Sequence, residues 1–170
     1  ASGWVLEAGS ALSGNDNTDA DPEVLVAIGE LSTSIGAADI TEVEMVTTTA
    51  DKSEGFTISV RVRYNEPVDV VTTGGTPTLA VTNGNAGSGS GRGPHSLSYA
   101  SGTGTNELIF SLAIAAANAA TNADDVLTVG AQTIALNSGT IKDASGTASD
   151  AALVISGAVG TAAGSVTVTA

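Results

Sequence analysis

The run Phe56–Tyr64, "FTISVRVRY", constrains the fold more than any other part of the chain. Phe56, Ile58, Val60, Val62 and Tyr64 alternate with Thr57, Ser59, Arg61 and Arg63. A period of two puts the first set on one face of a strand and the second on the other. Glu66-Pro67 follows and is expected to end the strand, because proline cannot donate to a ladder. "YASGTGTNELIFSL", Tyr99 to Leu112, repeats the theme as two alternating walls around a glycine turn, which predicts a hairpin. Further short strands are expected at Val43–Thr47, "VDVV", "TLAVT", "DVLTVGAQTIAL", "GTIKD", "ALVIS" and "SVTVT". About nine strands with turn signals every eight to twelve residues predict an all-β domain. The specific expectation is an antiparallel β-sandwich with Greek-key connections. No βαβ alternation occurs, which argues against a Rossmann or barrel enzyme.

The regular pattern starts at Asp39, so the chain is divided into an acidic, partly extended N-terminal arm, 1–38, and a β-sandwich, 39–170. Residues 1–23 show neither period and are expected to be irregular. Val24–Leu31, "VLVAIGEL", reads as a strand or extended segment that must lie against something. Residues 83–94 form a glycine-rich loop, and 115–123, "AAANAATNA", a loop with a short helix.

The 170 residues suit one domain with an arm, and the absence of cysteine removes disulfides and thiolate metal sites. The net charge is −13, concentrated in residues 1–54, where eleven acids face Lys52 alone. Such a surface repels phosphate backbones, so nucleic acid is not an expected partner, nor is an anionic membrane. Cations, basic protein surfaces or uncharged partners remain. No run of eighteen apolar residues predicts membrane insertion. The opening residues lack the basic and apolar regions of a signal peptide. Ala1 is expected to follow either removal of a Met or a cleavage.

Four segments carry a resemblance: "NEPVDV" (Asn65–Val70), "GTPTLAV" (Gly75–Val81), "YASGTGTNELIFS" (Tyr99–Ser111) and "LNSGTIKDASGTAS" (Leu136–Ser149). In this order they resemble the immunoglobulin-like (Ig-like) repeats of large bacterial surface adhesins, over roughly residues 39–156. The chain departs from the repeats in its longer loop 83–94 and in Thr147, where they usually carry Asn. The resemblance implies a surface-displayed Ig-like sandwich. In adhesins, acidic residues near repeat junctions often hold calcium. Single modules of this kind also occur on tailed-phage virions, decorating capsids and tails. A single copy behind an acidic arm is read as that form.

The candidate sites follow. His95, the one histidine, sits at the mouth of the glycine loop and is expected to be an ordinary exposed residue. Asn15–Glu23, "NDNTDADPE", is dense in oxygens but lacks the glycine and spaced Glu of an EF-hand loop, so it reads as a solvated linker. Asp143 and Asp150 bracket a turn and are the calcium candidates, and Asp124-Asp125 opens a strand. Glu66 and Glu107 are placed at strand ends, screened by solvent, which does not suit glycoside hydrolysis. Phe56, Tyr64, Tyr99 and Phe110 fall on inward rows, leaving Trp4 as the one aromatic to spare for a ligand. No catalytic residue is assigned. The arm residues Trp4, Val5, Leu6, Val24, Leu25, Val26, Ile28 and Leu31 are the candidate interface. An extended arm adding a strand to a neighbour's sheet would satisfy their burial.

The functional expectation is a non-enzymatic, multi-copy structural protein of a virion surface, a capsid decoration or cement protein. Its partners would be its own copies, a major capsid protein or a tail protein. The alternative is an adhesin or surface-layer module at the bacterial cell surface, recognising a host cell with or without calcium.

Overall fold

The computed structural model describes residues 2–6, 23–28, 37–85, 92–144 and 148–170. The chain divides into two compact units, Ala1–Ile35 and Gly36–Ala170. In the first, β1 (Ser2–Leu6) pairs antiparallel with β2 (Glu23–Ile28) as a two-stranded sheet. Ser2 lies opposite Ile28 and Leu6 opposite Glu23, with a bulge between Trp4 and Val5. Residues 2–6 are therefore not irregular. Five residues are too few for a period to show, and it is the partner strand that makes them extended.

Among its described residues the second unit is all-β apart from one short helix. Nine of its strands form one sheet: β3 (Ile40–Met45), β4 (Ala50–Asp51), β5 (Phe56–Val71), β6 (Thr78–Asn85), β7 (Arg92–Ser101), β8 (Thr105–Ile114), β9 (Asp125–Thr128), β11 (Thr140–Asp143) and β13 (Ser165–Thr169). The order is β11-β5-β8-β7-β6-β9-β13-β4, with β3 also on β5. Pairing is antiparallel except between β13 and β4. A separate pair is made by β10 (Gln132–Thr133) and β12 (Val154–Ile155). The helix α1 (Gly157–Ala162) follows β12.

The sheet curls until its ends meet. β3 pairs with β5 near one end, and β4, which begins five residues after β3 ends, pairs with β13 at the other. The Met45 N–H donates to the Ala163 carbonyl at 2.8 Å across the closing edge. The interior of the curl is the core. It holds Ile58, Val60, Val62, Tyr64 and Val68 of β5, Leu79 and Val81 of β6, Leu97 of β7, Leu108, Phe110 and Ile114 of β8, and Leu127, Val166 and Val168 beyond. Tyr99 meets Phe110 edge-on, with centroids 6.1 Å apart and planes at 74°, a favourable aromatic geometry.

Three expectations are corrected. β5 does not end at Glu66-Pro67 but runs to Val71. Its register breaks between Arg63 and Val68, so Pro67 sits where the ladder to β8 asks for no N–H. Residues 115–124 contain no helix. The Asn118 side chain accepts from the Ala120 N–H at 2.9 Å and turns the chain instead. Helix α1, in turn, is not foreseen by "GAVGTA". Ser156 caps it, its Oγ accepting from the Val159 N–H at 3.3 Å. Gly160 presses on Gly130, whose carbonyl a Cβ would strike.

The predicted hairpin Tyr99–Leu112 is present as β7, a turn and β8. Gly102 has φ 115° and Gly104 φ 77°, and Thr103 N–H donates to the Tyr99 hydroxyl at 2.9 Å. A Cβ on Gly102 would collide with the Glu107 carbonyl. Gly102→Ala is expected to lower stability by about 1–3 kcal/mol, read as a shift in the chemical denaturation midpoint. Phe110→Ala, which empties the centre of the core, should cost about 3–5 kcal/mol in the same experiment.

Candidate functional site

The candidate interface residues Trp4, Val5, Leu6, Val24, Leu25, Val26 and Ile28 lie on β1 and β2. Trp4 is opposite Val26 and Val5 opposite Val24. Strand pairing within the chain therefore brings these seven together. Leu31 and residues 15–22 of the acidic stretch lie outside the described residues.

In the second unit the exposed faces of β3, β5 and β8 carry an ion-pair network. Arg63 Nε and Nη2 donate to Glu107 Oε1 at 3.0 and 2.6 Å, and Arg63 Nη1 reaches Glu42 Oε2 at 2.8 Å. Arg61 pairs with Glu44 and, at 3.5 Å, with Glu107. The hydrogen bond from Arg63 holds the Glu107 carboxyl below its usual range, with Arg61 acting the same way. These groups neutralise one another at the surface, an arrangement that adds little stability and offers no reactive group.

The polar residues inside the curl are more informative. Glu66 is buried, 8% exposed, not solvent-screened as expected. Because β5 continues past it, Glu66 is the next member of the inward row after Tyr64. Its Oε1 is shut away from water and accepts no hydrogen bond. Burial pushes its carboxyl above the usual range, and the charges of Asp143 and Asp39 push it the same way. Asp143 is itself buried at the end of β11. Asp150, by contrast, is exposed and bonds Lys142 Nζ at 3.0 Å. Lys142 and Asp143 are adjacent on a strand and face opposite ways, so the two calcium candidates are not brought together. Among the described residues no three His, Asp or Glu side chains gather as metal ligands.

His95 is also buried, at 6% exposed, contrary to expectation. It continues the inward row of Leu97 and Tyr99 on β7. Its Nε2 lies 2.9 Å from Thr121 Oγ1 and 3.3 Å from Asn83 Nδ2. Asn83 Nδ2 also donates to the Ala120 carbonyl. Burial holds the imidazole below its ordinary pKa, while Asp125 acts in the other direction. Thr121, Asn83 and Asp125 are buried with it. A hydroxyl on an imidazole is the geometry of an activated nucleophile, but neither of the two surface grooves described below includes this pair.

The larger groove, 530 Å³, runs between β3 and α1 and is lined by Thr41, Glu42, Val43, Glu44, Ala158, Val159 and Ala162. A smaller one of 370 Å³ is lined by Thr128, Gly130, Gly160, Thr161, Gly164 and Ser165. Neither lining contains an aromatic or a histidine. No protein-family model matches the chain, and no curated protein or solved structure matches it.

The Glu66 carboxyl yields a signed test. Its pKa in the folded chain is raised above 4.5, so folding binds a proton in the window above that value. The stability it contributes is present below about pH 4.5 and lost as pH rises through the raised value. Glu66→Gln is expected to melt above the wild type at pH 7, with the gap closing toward pH 4. Equal melting temperatures at pH 7 would show that the buried charge carries no cost.

Proposed function

We propose that the chain is a non-enzymatic structural protein, an Ig-like module displayed in many copies on a virion surface. Its first unit is the attachment element, binding the shell or neighbouring copies, as in a capsid decoration or cement protein. The observation that carries this reading is the strand order. In Ig-like sandwiches, strands A, B, E and D make one layer and C, F and G the other. Labelling β3, β4, β5, β6, β7, β8, β9 and β13 as A, A′, B, C, D, E, F and G follows chain order. The sheet path then reads A-B-E-D-C-F-G-A′. This is the path that layers ABED and CFG would trace if joined through the pairing of β6 and β7. The β10–β12 pair and β11 are insertions between F and G.

The rest of the site fits display better than turnover. Described groove linings carry no sugar-stacking aromatic and no imidazole. The first unit holds its apolar run on a hairpin of its own. Weak contacts of this kind, repeated over a lattice, add through effective concentration.

The test is electron microscopy of the producing culture, using an antibody raised against the second unit. Regular labelling of particle surfaces is expected, lost when residues 1–35 are deleted. Ala38 must be kept in that deletion, since it is fully buried and its carbonyl accepts from the Ala152 N–H at 2.8 Å. Label on bacterial cell surfaces would support the adhesin reading instead, and diffuse soluble label would overturn both.

A further inference from the structure

We propose that His95 pins an acid-released latch, which holds the connection 115–124 against the sheet and lets it go when the imidazole is protonated.

Two partners of the latch are fixed on paired strands. Asn83 is on β6 and His95 on β7, whose ladder includes Val81 opposite His95. The other two, Ala120 and Thr121, belong to the connection between β8 and β9. Thr121 is fully buried although it lies in no strand. The connection is tied elsewhere by Lys52 Nζ on the Asn118 carbonyl and by Asp124 N–H on the Val168 carbonyl. At its C-terminal end the Asn122 N–H donates to Asp125 Oδ2 at 2.8 Å.

The hydrogen bonds assign the protonation state. Asn83 Nδ2 can only donate, and it donates to the Ala120 carbonyl as well as facing Nε2. Nε2 must therefore be the acceptor, and Nδ1 carries the proton. Protonating Nε2 turns that acceptor into a donor. Thr121 Oγ1 can rotate and accept, but Asn83 has no such recourse. Turning its amide over would set Oδ1 against the Ala120 carbonyl. An N–H then faces an N–H beside a ring only 6% exposed, and the new charge has lost most of its hydration. Asp125, on β9 at the far side of β6 from the ring's own strand, is the charged group that acts on the ring, and it offsets part of that cost. Moving Ala120 and Thr121 away relieves the rest by hydrating the ring. The strands carrying Asn83 and His95 stay in place.

The direction with pH follows. Burial keeps the latched imidazole below its ordinary value of 6.5, while a released one returns toward it. The released form binds more protons in between, so the latch is closed above about pH 6.5 and weakens as pH falls below it. The acid form would present a different surface, with the inner side of 115–124 bared.

Hydrogen exchange of the full chain at pH 7.5 and 5.0, corrected for intrinsic rates, reads this directly. Opening of amides in 116–124 is expected to rise by up to about thirtyfold at pH 5.0, with the amides of Val60 and Val62 little changed. His95→Gln keeps an acceptor without a titrating ring and should abolish the rise. An unchanged wild-type connection, or an equal rise in His95→Gln, would overturn the latch. Because the chain has one histidine, its ring signals in an NMR titration of the wild type give a check that needs no variant. A midpoint below 6.5, shared by the ring and by the amides of Ala120 and Thr121, is expected. A midpoint at or above 6.5, or amides that do not follow the ring, would refute it.

Discussion

Ile58, Val60, Val62, Tyr64 and Val68 project from one face of β5, and all are closed to water. This row is the axis of the domain. β5 pairs with β8 along one edge; on the other it takes β3 beside its first half and β11 beside its second. The three strands that flank β5 are thereby registered to the same set of apolar side chains. A slip of one residue would turn that set outward and bring Arg61 and Arg63 in. The arginines resist the slip from outside, since their carboxylate partners sit on both flanking strands.

Charge is handled differently on the two sides of the sheet. Outside, acids and bases interlock across three strands in contact with solvent. Inside, most of the polar side chains stand at the ends of apolar rows, while Glu66 interrupts the row of β5 between Tyr64 and Val68. Glu66 follows Tyr64, Asn83 follows Val81, His95 precedes Leu97, Asp125 precedes Leu127, and Asp143 follows Ile141. Water is nearest at such positions, and a buried polar group there can be served by a turn or a connection. Asn83 and His95 are served in this way by Ala120 and Thr121. Glu66 Oε1 is not, and neither is Asn83 Oδ1: both are shut away from water without a hydrogen-bond partner, so the interior carries this cost at two places.

Most of the strands were legible because a two-residue period survives tertiary context when one face is buried. The hairpin of β7 and β8 was legible to its glycines. Glu66 and His95 were misplaced for one reason, which is that their strands were read as shorter than they are. Carrying the period one step further places Glu66 and His95 inside, since each has the parity of its buried neighbours. Pro67 hid the first and the glycine loop hid the second. Thr121 carries no local signal at all, because its burial comes from a connection folded onto two strands distant in sequence. Helix α1 was illegible for a similar reason. Its two glycines disfavour helix, and Gly160 is there for its contact with Gly130 rather than for propensity. The pairing of β1 with β2 joins segments separated by sixteen residues, which no local pattern announces.

The parallel pair of β4 and β13 brings the second and the last strand of this curl side by side, with Ala50 beside Val168 and Asp51 beside Thr169. Tension between the two ends of the unit would pull these neighbours along their length in opposite senses. The bonds between them, together with that from Lys52 N–H to the Thr169 carbonyl, would then share the load and yield together rather than unzip singly.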